Sequence, residues 1–106
     1  MKKEVYQCPV TATLSVIGGR WKPIIIWTLS NGSKRFGQLD AIITGISRKI
    51  LTEQLKELEA DGLITRTEYK EIPPRVVYEL SEKGKSLKPV MKAMCNWGTE
   101  NVLKKK

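Results

Sequence analysis

Residues 44–80 read TGISRKILTEQLKELEADGLITRTEYKEIPPRVVYEL, and this stretch decides the fold. Leu51, Leu55 and Leu58 recur at i, i+4 and i+7, which predicts an amphipathic helix with one buried face. Ser47 precedes this stripe and is placed to cap the start of the helix. The chain therefore predicts a capped helix that buries its leucines and leaves its polar side open.

A β-hairpin is predicted directly after this helix. Residues 63–70 and 75–80 are rich in β-branched and aromatic side chains, as strands are. Pro73 and Pro74 between them cannot continue ladder pairing, so the tip of the hairpin lies there. A helix with an open polar face and a hairpin beside it is the arrangement of a winged helix-turn-helix, which places the helix in a DNA major groove.

The residues before this stretch predict two helices, a short strand and a third helix. Pro9 suits the first position of a helix that ends at Gly18-Gly19 and carries Val10, Leu14 and Ile17 on one face. A second helix is expected from Lys22 to Leu29, ending at Asn31-Gly32. Residues 34–36 predict a short strand that pairs with the hairpin. Residues 37–43 predict a helix with Leu39, Ile42 and Ile43 on its apolar side, and Gly45 then lies in the turn of the helix-turn-helix.

The last part of the chain predicts one helix, capped by Ser81, with an apolar stripe at helical spacing. A 106-residue chain buries little surface by itself, so a helix this apolar is expected at a subunit interface together with the first helix. The interface residues predicted on these two helices are Val10, Leu14, Leu87, Val90, Met91, Met94 and Trp97. Residues 1–106 are expected to form a single α+β, mainly α, domain with a disordered lysine tail at 104–106.

Composition narrows the functional class. The net charge is +8, but residues 44–80 carry six basic and seven acidic side chains, so charge alone supports a nucleic-acid partner only weakly. The chain has no histidine, no phosphate-binding loop and no nucleophile elbow, and its two cysteines lie 87 positions apart without metal-ligand spacing. An enzyme, a metal site and a cofactor are not predicted. Neither a membrane span nor a secretory signal is visible, so a cytoplasmic location is expected.

Helix geometry selects the side chains that face DNA. At about 100° per residue, the leucine stripe leaves Lys49, Thr52, Glu53 and Lys56 on the opposite side, with Arg48 at the edge of the first turn. Arginine and lysine can donate to guanine, and threonine can meet a base acceptor or a thymine methyl. The helix start at Ser47 suits a phosphate. The same pattern also fits an ordinary solvated helix face, but the hairpin directly behind it favours double-stranded DNA. The predicted recognition-helix residues are Ser47, Arg48, Lys49, Thr52 and Lys56.

The hairpin tip offers a second contact. Lys70 and Arg75 flank the segment Glu71-Ile72-Pro73-Pro74, and prolines hold such a loop extended at low entropic cost. Arg75 is then placed against a phosphate or a narrow minor groove. A rigid turn with an ordinary surface arginine is the other interpretation of this segment.

Several motifs resemble one known family. The segments CPVTATLSVIGGRWKPIIIW, KRFGQL, GISRKILTEQLKELEADGL and PPRVVYELSEKGKSL closely resemble HxlR-type bacterial winged-helix regulators, over Cys8 to about Trp97. The resemblance implies a homodimeric DNA-binding transcriptional regulator, most simply a repressor, on a two-fold operator. It also implies that the terminal helices form the dimer contact, that the helix after Ser47 is the recognition helix and that the PPR turn is the wing. A winged helix used only as a protein-interaction module is the alternative.

The cysteines and tryptophans have two interpretations each. Cys8 directly precedes the helix-starting Pro9, where free N–H groups and the helix dipole stabilise a thiolate. Some relatives in the family sense oxidants or electrophiles with a cysteine at this position. Cys8 is therefore a possible switch, through a disulfide with Cys95 of the partner subunit, or else a structural cysteine in a reducing compartment. Cys95, in the apolar helix, is more simply a packing residue. The three tryptophans, Trp21, Trp27 and Trp97, are expected in the core or interface rather than stacked on single-stranded nucleic acid.

Overall fold

The computed structural model describes residues 8–104, and the structural statements below concern those residues. The elements in chain order are α1 Pro9–Ile17, α2 Lys22–Leu29, β1 Lys34–Arg35, α3 Phe36–Ile42, α4 Arg48–Ala60, β2 Ile64–Tyr69, β3 Arg75–Leu80, α5 Glu82–Lys85, α6 Lys88–Gly98 and a terminal π-helical turn Thr99–Leu103. This order confirms the predicted α+β, mainly helical fold. No helix in residues 8–104 has the length and apolar character needed to cross a bilayer.

Helices α3 and α4 form the helix-turn-helix, and the turn between them follows the sequence closely. Gly45 has a φ of +91°, a conformation that glycine adopts without steric cost. The Ser47 hydroxyl oxygen accepts a hydrogen bond from the Ile50 N–H at 3.1 Å, so the predicted cap is confirmed. Ile46, just before the cap, and Leu51 have the spacing of a hydrophobic staple, and both are buried in the core. The cap and the staple together fix the direction in which α4 leaves the turn.

The sheet has three antiparallel strands in the order β1-β3-β2. The hairpin register runs from Ile64 opposite Leu80 to Tyr69 opposite Arg75, with the two prolines in the loop beyond. The short strand pairs with β3, placing Lys34 opposite Tyr78, so the predicted pairing is confirmed. Phe36 does not extend this strand but begins α3.

One apolar core joins the helices to the sheet. The side chains that are completely or almost completely buried are Ile25, Ile26, Leu39, Leu51, Leu55, Leu58, Leu63 and Ile64. Ile42 was predicted on the apolar side of α3 but is 52% exposed. The reason is that α3 ends at Ile42 and the chain becomes extended at Ile43, whose side chain takes the core position beside Leu39.

The predicted single C-terminal helix is wrong, because the chain forms two. Ser81 caps only the four residues of α5, and its hydroxyl oxygen accepts from the Gly84 N–H at 3.0 Å. A continuous helix would need an N–H at Pro89 to bond the Lys85 carbonyl, and the proline ring would clash with that carbonyl. The helix therefore stops and restarts at Lys88, with Pro89 in its first turn.

Of the lysine tail predicted to be disordered, the structure describes only Lys104. The Lys104 N–H donates to the Thr99 carbonyl at 3.0 Å, in the turn that ends the π-helical segment. Lys105 and Lys106 lie outside the described residues.

Candidate nucleic-acid interface

Helix α4 separates its apolar and polar sides as the sequence predicts. Leu51, Leu55 and Leu58 are at most 1% exposed. On the other side, the side chains of Arg48 and Lys49 are 73% and 82% exposed. The first turn of the helix, which approaches bases in helix-turn-helix proteins, is thus open to a partner.

The charges in this first turn oppose the stability of the helix itself. Arg48 and Lys49 lie at the positive end of the helix dipole, where acidic residues are favourable and cations are not. The first turn of α4 contains no acidic residue. Two cations at this end destabilise an isolated helix slightly, and the same two cations add to the attraction that the helix start exerts on an anion.

Helix α3 orients Arg48. The Arg48 Nε lies 3.7 Å from the Asp40 carboxylate, and the guanidinium carbon lies 5.5 Å from the centre of the Phe36 ring. The first helix of the motif thereby holds the arginine of the second helix near the turn. Sequence reasoning missed both partners, because nothing in their spacing shows that α3 crosses the start of α4.

Three further residues of the polar face, Lys49, Thr52 and Ser47, also have partners within the chain. Lys49 Nζ lies 3.2 Å from the Glu53 carboxylate, one turn further along. The Thr52 hydroxyl donates to the Arg48 carbonyl at 2.9 Å, so its methyl group and oxygen lone pairs are what remains for a partner. The Ser47 oxygen accepts the capping bond, which leaves the hydroxyl proton free to donate to a phosphate.

A polar groove runs beside this face, between α4 and the sheet. It has a volume of about 350 Å³ and is lined by Thr52, Lys56, Glu59, Arg66 and Tyr78. Tyr78 lies opposite Arg66 on the neighbouring strand, and its side chain raises the pKa of that arginine further. The groove adds Arg66 to the basic residues near Lys56. Sequence reasoning did not single out Arg66; strand alternation combined with the register would have placed it beside α4.

The wing holds its arginine by a clamp. Arg75 donates from Nε and Nη2 to the Glu71 carboxylate, with the Nη2 contact at 3.0 Å. The guanidinium carbon also lies 4.1 Å from the centre of the Tyr69 ring. The hydrogen bond from Arg75 lowers the pKa of Glu71. Arg75 is thus fixed in direction but shares its charge with Glu71, whereas Lys70 is exposed and Ile72 projects fully into solvent.

A second exposed surface lies on the terminal helices and is apolar. On α1 and α6, four of the predicted interface residues are about half exposed or more: Val10 66%, Leu14 56%, Met94 46% and Trp97 64%. Val90 is also exposed. Met91 is only 3% exposed, and Leu87 packs partly against the core. These two side chains belong mainly to the core of the single chain, because α6 turns them towards the rest of the fold.

The comparisons with known proteins agree with this geometry. Residues 16–106 match the family model described as HxlR-like helix-turn-helix. The chain belongs to the HxlR-like helix-turn-helix family. YtcD of Bacillus subtilis, an HTH-type transcriptional regulator, is 47% identical over 96% of this chain and 81% of its own length.

Solved structures place the fold in the same group. The redox regulator HypR in its oxidised form superposes with a TM-score of 0.85 at 46% identity, covering 89% of this chain and 97% of that one. The reduced form of YodB from B. subtilis gives a TM-score of 0.79 at 37% identity, covering 94% and 99% of the two chains. This HxlR-like chain is therefore a helix-turn-helix transcriptional regulator, and its family consists of regulators rather than enzymes.

The two cysteines of this HxlR-like protein differ in their surroundings. Cys8 is exposed at the start of α1, where the backbone and side chain of Thr11, and then the Val10 backbone, lower the pKa of its thiol, although the sulfur accepts no capping hydrogen bond. Cys95 is also exposed and lines an apolar groove of about 350 Å³ between α2 and α6, together with Trp27 and Met94. Within residues 8–104, no group of three or more acidic or cysteine side chains is arranged to hold a metal ion.

Proposed function

We propose that this chain acts as a homodimeric repressor on a pseudo-palindromic operator in the cytoplasm. The observation that carries the proposal is the open first turn of α4, with two exposed cations on a helix whose leucines are all buried. In this arrangement α4 enters the major groove, and Arg48 and Lys49 face base edges. Ser47, Thr52 and Lys56 complete the contact along the same side of the helix.

The wing adds a contact outside the major groove. Lys70 and Arg75 lie at the end of the hairpin, and the Glu71 and Tyr69 partners hold Arg75 in one direction. A fixed cation at this position meets a phosphate or the minor groove at low entropic cost. Because such contacts do not touch base donors and acceptors, they set affinity and register rather than sequence.

The apolar surface of α1 and α6 supplies the dimer contact. Val10 and Leu14 on α1 and Val90, Met94 and Trp97 on α6 are large apolar side chains that remain exposed, and exposed apolar patches mark association surfaces. A second copy of the same surface would cover it around a two-fold axis. The two recognition helices of the dimer then read half-sites about 34 Å apart, or a multiple of that spacing.

A salt titration tests DNA binding directly. The full-length protein is titrated onto the duplex upstream of its own gene at 50, 100 and 200 mM salt, about the range over which phosphate contacts lose most affinity. Specific binding is expected to weaken steeply with salt, because each phosphate contact releases counterions. An unrelated duplex of equal length is the control. Equal, salt-dependent affinity for both duplexes would show non-specific DNA binding, whereas no binding to either duplex would favour a protein-interaction module.

Cys8 is proposed as an oxidant switch that acts through Cys95 of a second copy. The lowered pKa of Cys8 increases the thiolate fraction at neutral pH, which favours attack on oxidants and electrophiles. Two similar proteins support this role, since HypR is described as a redox regulator and YodB was also solved after diamide treatment. In the disulfide, the two thiols lose two protons and two electrons to the oxidant, and one S–S bond joins the subunits.

Diamide treatment of three proteins tests the switch. Wild type, Cys8→Ser and Cys95→Ser are treated, separated on non-reducing gels and titrated onto the operator. A covalent dimer and a changed operator affinity are expected only for wild type. If wild-type Cys8 is fully modified and the affinity is unchanged, the switch is excluded. A dimer that persists in Cys95→Ser would assign the second sulfur to Cys8 itself.

A further inference from the structure

Glu53 lies on the side of α4 that faces DNA, which is an unusual place for a carboxylate. Its side chain is 47% exposed and opposite the buried leucines, and Lys49 precedes it by one helical turn. A carboxylate that approaches DNA is repelled by the phosphates and gains nothing from counterion release. A residue in this position therefore reduces general affinity unless it has a partner on the DNA itself.

Stabilisation of the helix does not explain the pair that Glu53 forms. An exposed (i, i+4) ion pair contributes only about 0.3–0.5 kcal/mol, and the order with glutamate before lysine is the more stabilising one. Here lysine comes first, and it lies in the first turn, where the helix dipole disfavours a cation. The pair is in the weaker order at the less favourable end of α4.

The pair does present a donor and an acceptor side by side. Lys49 Nζ and the Glu53 carboxylate oxygen are 3.2 Å apart, and both side chains are exposed. In the major groove, a G·C pair shows guanine O6 and N7 as acceptors beside the cytosine N4 amino group as a donor. Lysine donates to guanine and glutamate accepts from cytosine N4, so the two side chains together match the edge of one base pair.

We propose that Glu53 is a specificity-determining residue that accepts a hydrogen bond from a cytosine amino group while Lys49 contacts guanine. This inference rests on the proposed operator binding and names one base pair in each half-site. The same carboxylate lowers affinity for all other DNA, because without a cytosine amino group it is left facing phosphates and base acceptors.

Selection from a randomised duplex library tests the assignment. Wild type, Glu53→Gln, Glu53→Ala and the control Glu82→Ala are compared at full length, with thermal melting to verify the fold. Glu82 is 95% exposed on α5, so its removal changes the net charge equally without touching α4. Wild type should select G·C at one position of each half-site, with a roughly tenfold loss of affinity for the substituted base pair.

The base preference of the Glu53 variants is expected to differ from wild type at that position alone. Glu53→Gln should shift the preference towards adenine, which glutamine reads through N6 and N7. Glu53→Ala should weaken the preference at that base pair to the part that Lys49 supplies through guanine, and should bind non-operator DNA more tightly than wild type. The assignment of Glu53 is wrong if both variants keep the wild-type base preference, or if Glu82→Ala loses that preference to the same extent. Neither result contradicts operator binding itself. If wild type selects no sequence, the proposed function itself fails.

Discussion

Helices α4 and α6 are both amphipathic, but they expose opposite sides. In α4 the leucine stripe is buried within the chain and the cations are open. In α6 only Met91 is buried, and Val90, Met94 and Trp97 remain exposed. The difference shows that α4 buries its apolar side within one subunit and leaves its cations open, whereas α6 leaves much of its apolar side exposed, which is the surface proposed above for the dimer contact.

The largest expected effect comes from placing a charge on the exposed side of α6. Trp97→Glu should give a monomer, because a carboxylate cannot be buried against a second apolar surface without a large desolvation cost. Because a monomer contacts only one half-site, operator affinity should fall by roughly 100-fold to 10,000-fold. Sedimentation and DNA titration measure the two effects. Trp97→Phe is the matched control and should stay dimeric. If Trp97→Glu is also dimeric, the assignment of α6 to the dimer interface is wrong.

Substitution in the buried stripe of α4 should affect folding instead of assembly. Leu55 is 1% exposed, and Leu55→Ala should reduce the free energy of unfolding by about 2–5 kcal/mol through lost burial and a residual cavity. Urea unfolding at one fixed protein concentration measures the change. The neighbouring exposed Lys56→Ala should change stability by no more than about 0.5 kcal/mol. Similar losses of unfolding free energy in both variants would contradict the assignment of Leu55 to the buried side of α4 and Lys56 to the exposed side.

On the open side of α4, substitution should affect DNA recognition without affecting stability. Lys49→Ala should cost roughly 1–3 kcal/mol of operator binding and relax the base preference, because it removes a donor to a base edge. It also leaves Glu53 without its ion-pair partner at the DNA surface. Anisotropy titrations on operator and single-base variants measure both effects. An equal loss of affinity for all sequences would indicate that Lys49 contacts the DNA backbone and not the bases.

The wing should show a smaller and less selective effect. Arg75→Ala should weaken binding to all sequences evenly. The slope of the logarithm of the binding constant against the logarithm of the salt concentration should fall by about one unit per subunit, as expected for a phosphate contact. Arg75→Lys keeps the charge but loses the two-pronged contact with Glu71, so it separates charge from orientation. A loss confined to one operator base would instead indicate direct base contact by the wing.

The smallest expected effect is the pH dependence of the wing clamp. The hydrogen bond from Arg75 lowers the pKa of Glu71, so the ionised pair is present at neutral pH and is lost only as the pH falls through this lowered value. NMR titration of the Glu71 carboxyl group should give a midpoint below that of the same residue in the unfolded chain. In Arg75→Ala the midpoint should return to the ordinary glutamate range.

Local sequence signals were enough for most of the fold. The buried leucines of α4, the Ser47 cap, the Gly45 turn and the proline-containing hairpin tip all depend on residues close together in the chain. Helical periodicity and side-chain capping act over one or two turns, so the sequence shows them directly. For the same reason the exposed cations at the start of α4 were predictable.

Other features depended on how the elements pack. The clamp on Arg75 arises because the hairpin register sets Tyr69 opposite it, and the contact of Asp40 with Arg48 arises because α3 lies against the start of α4. Helical periodicity assigned Met91 and Trp97 to the same apolar stripe of the helix. The packing of α6 against α2 then decides that Met91 is buried and that Trp97 is exposed. The sequence alone determined which side of each helix is apolar. The tertiary structure decided which of those sides the chain covers by itself, because burial depends on neighbours that are distant in sequence.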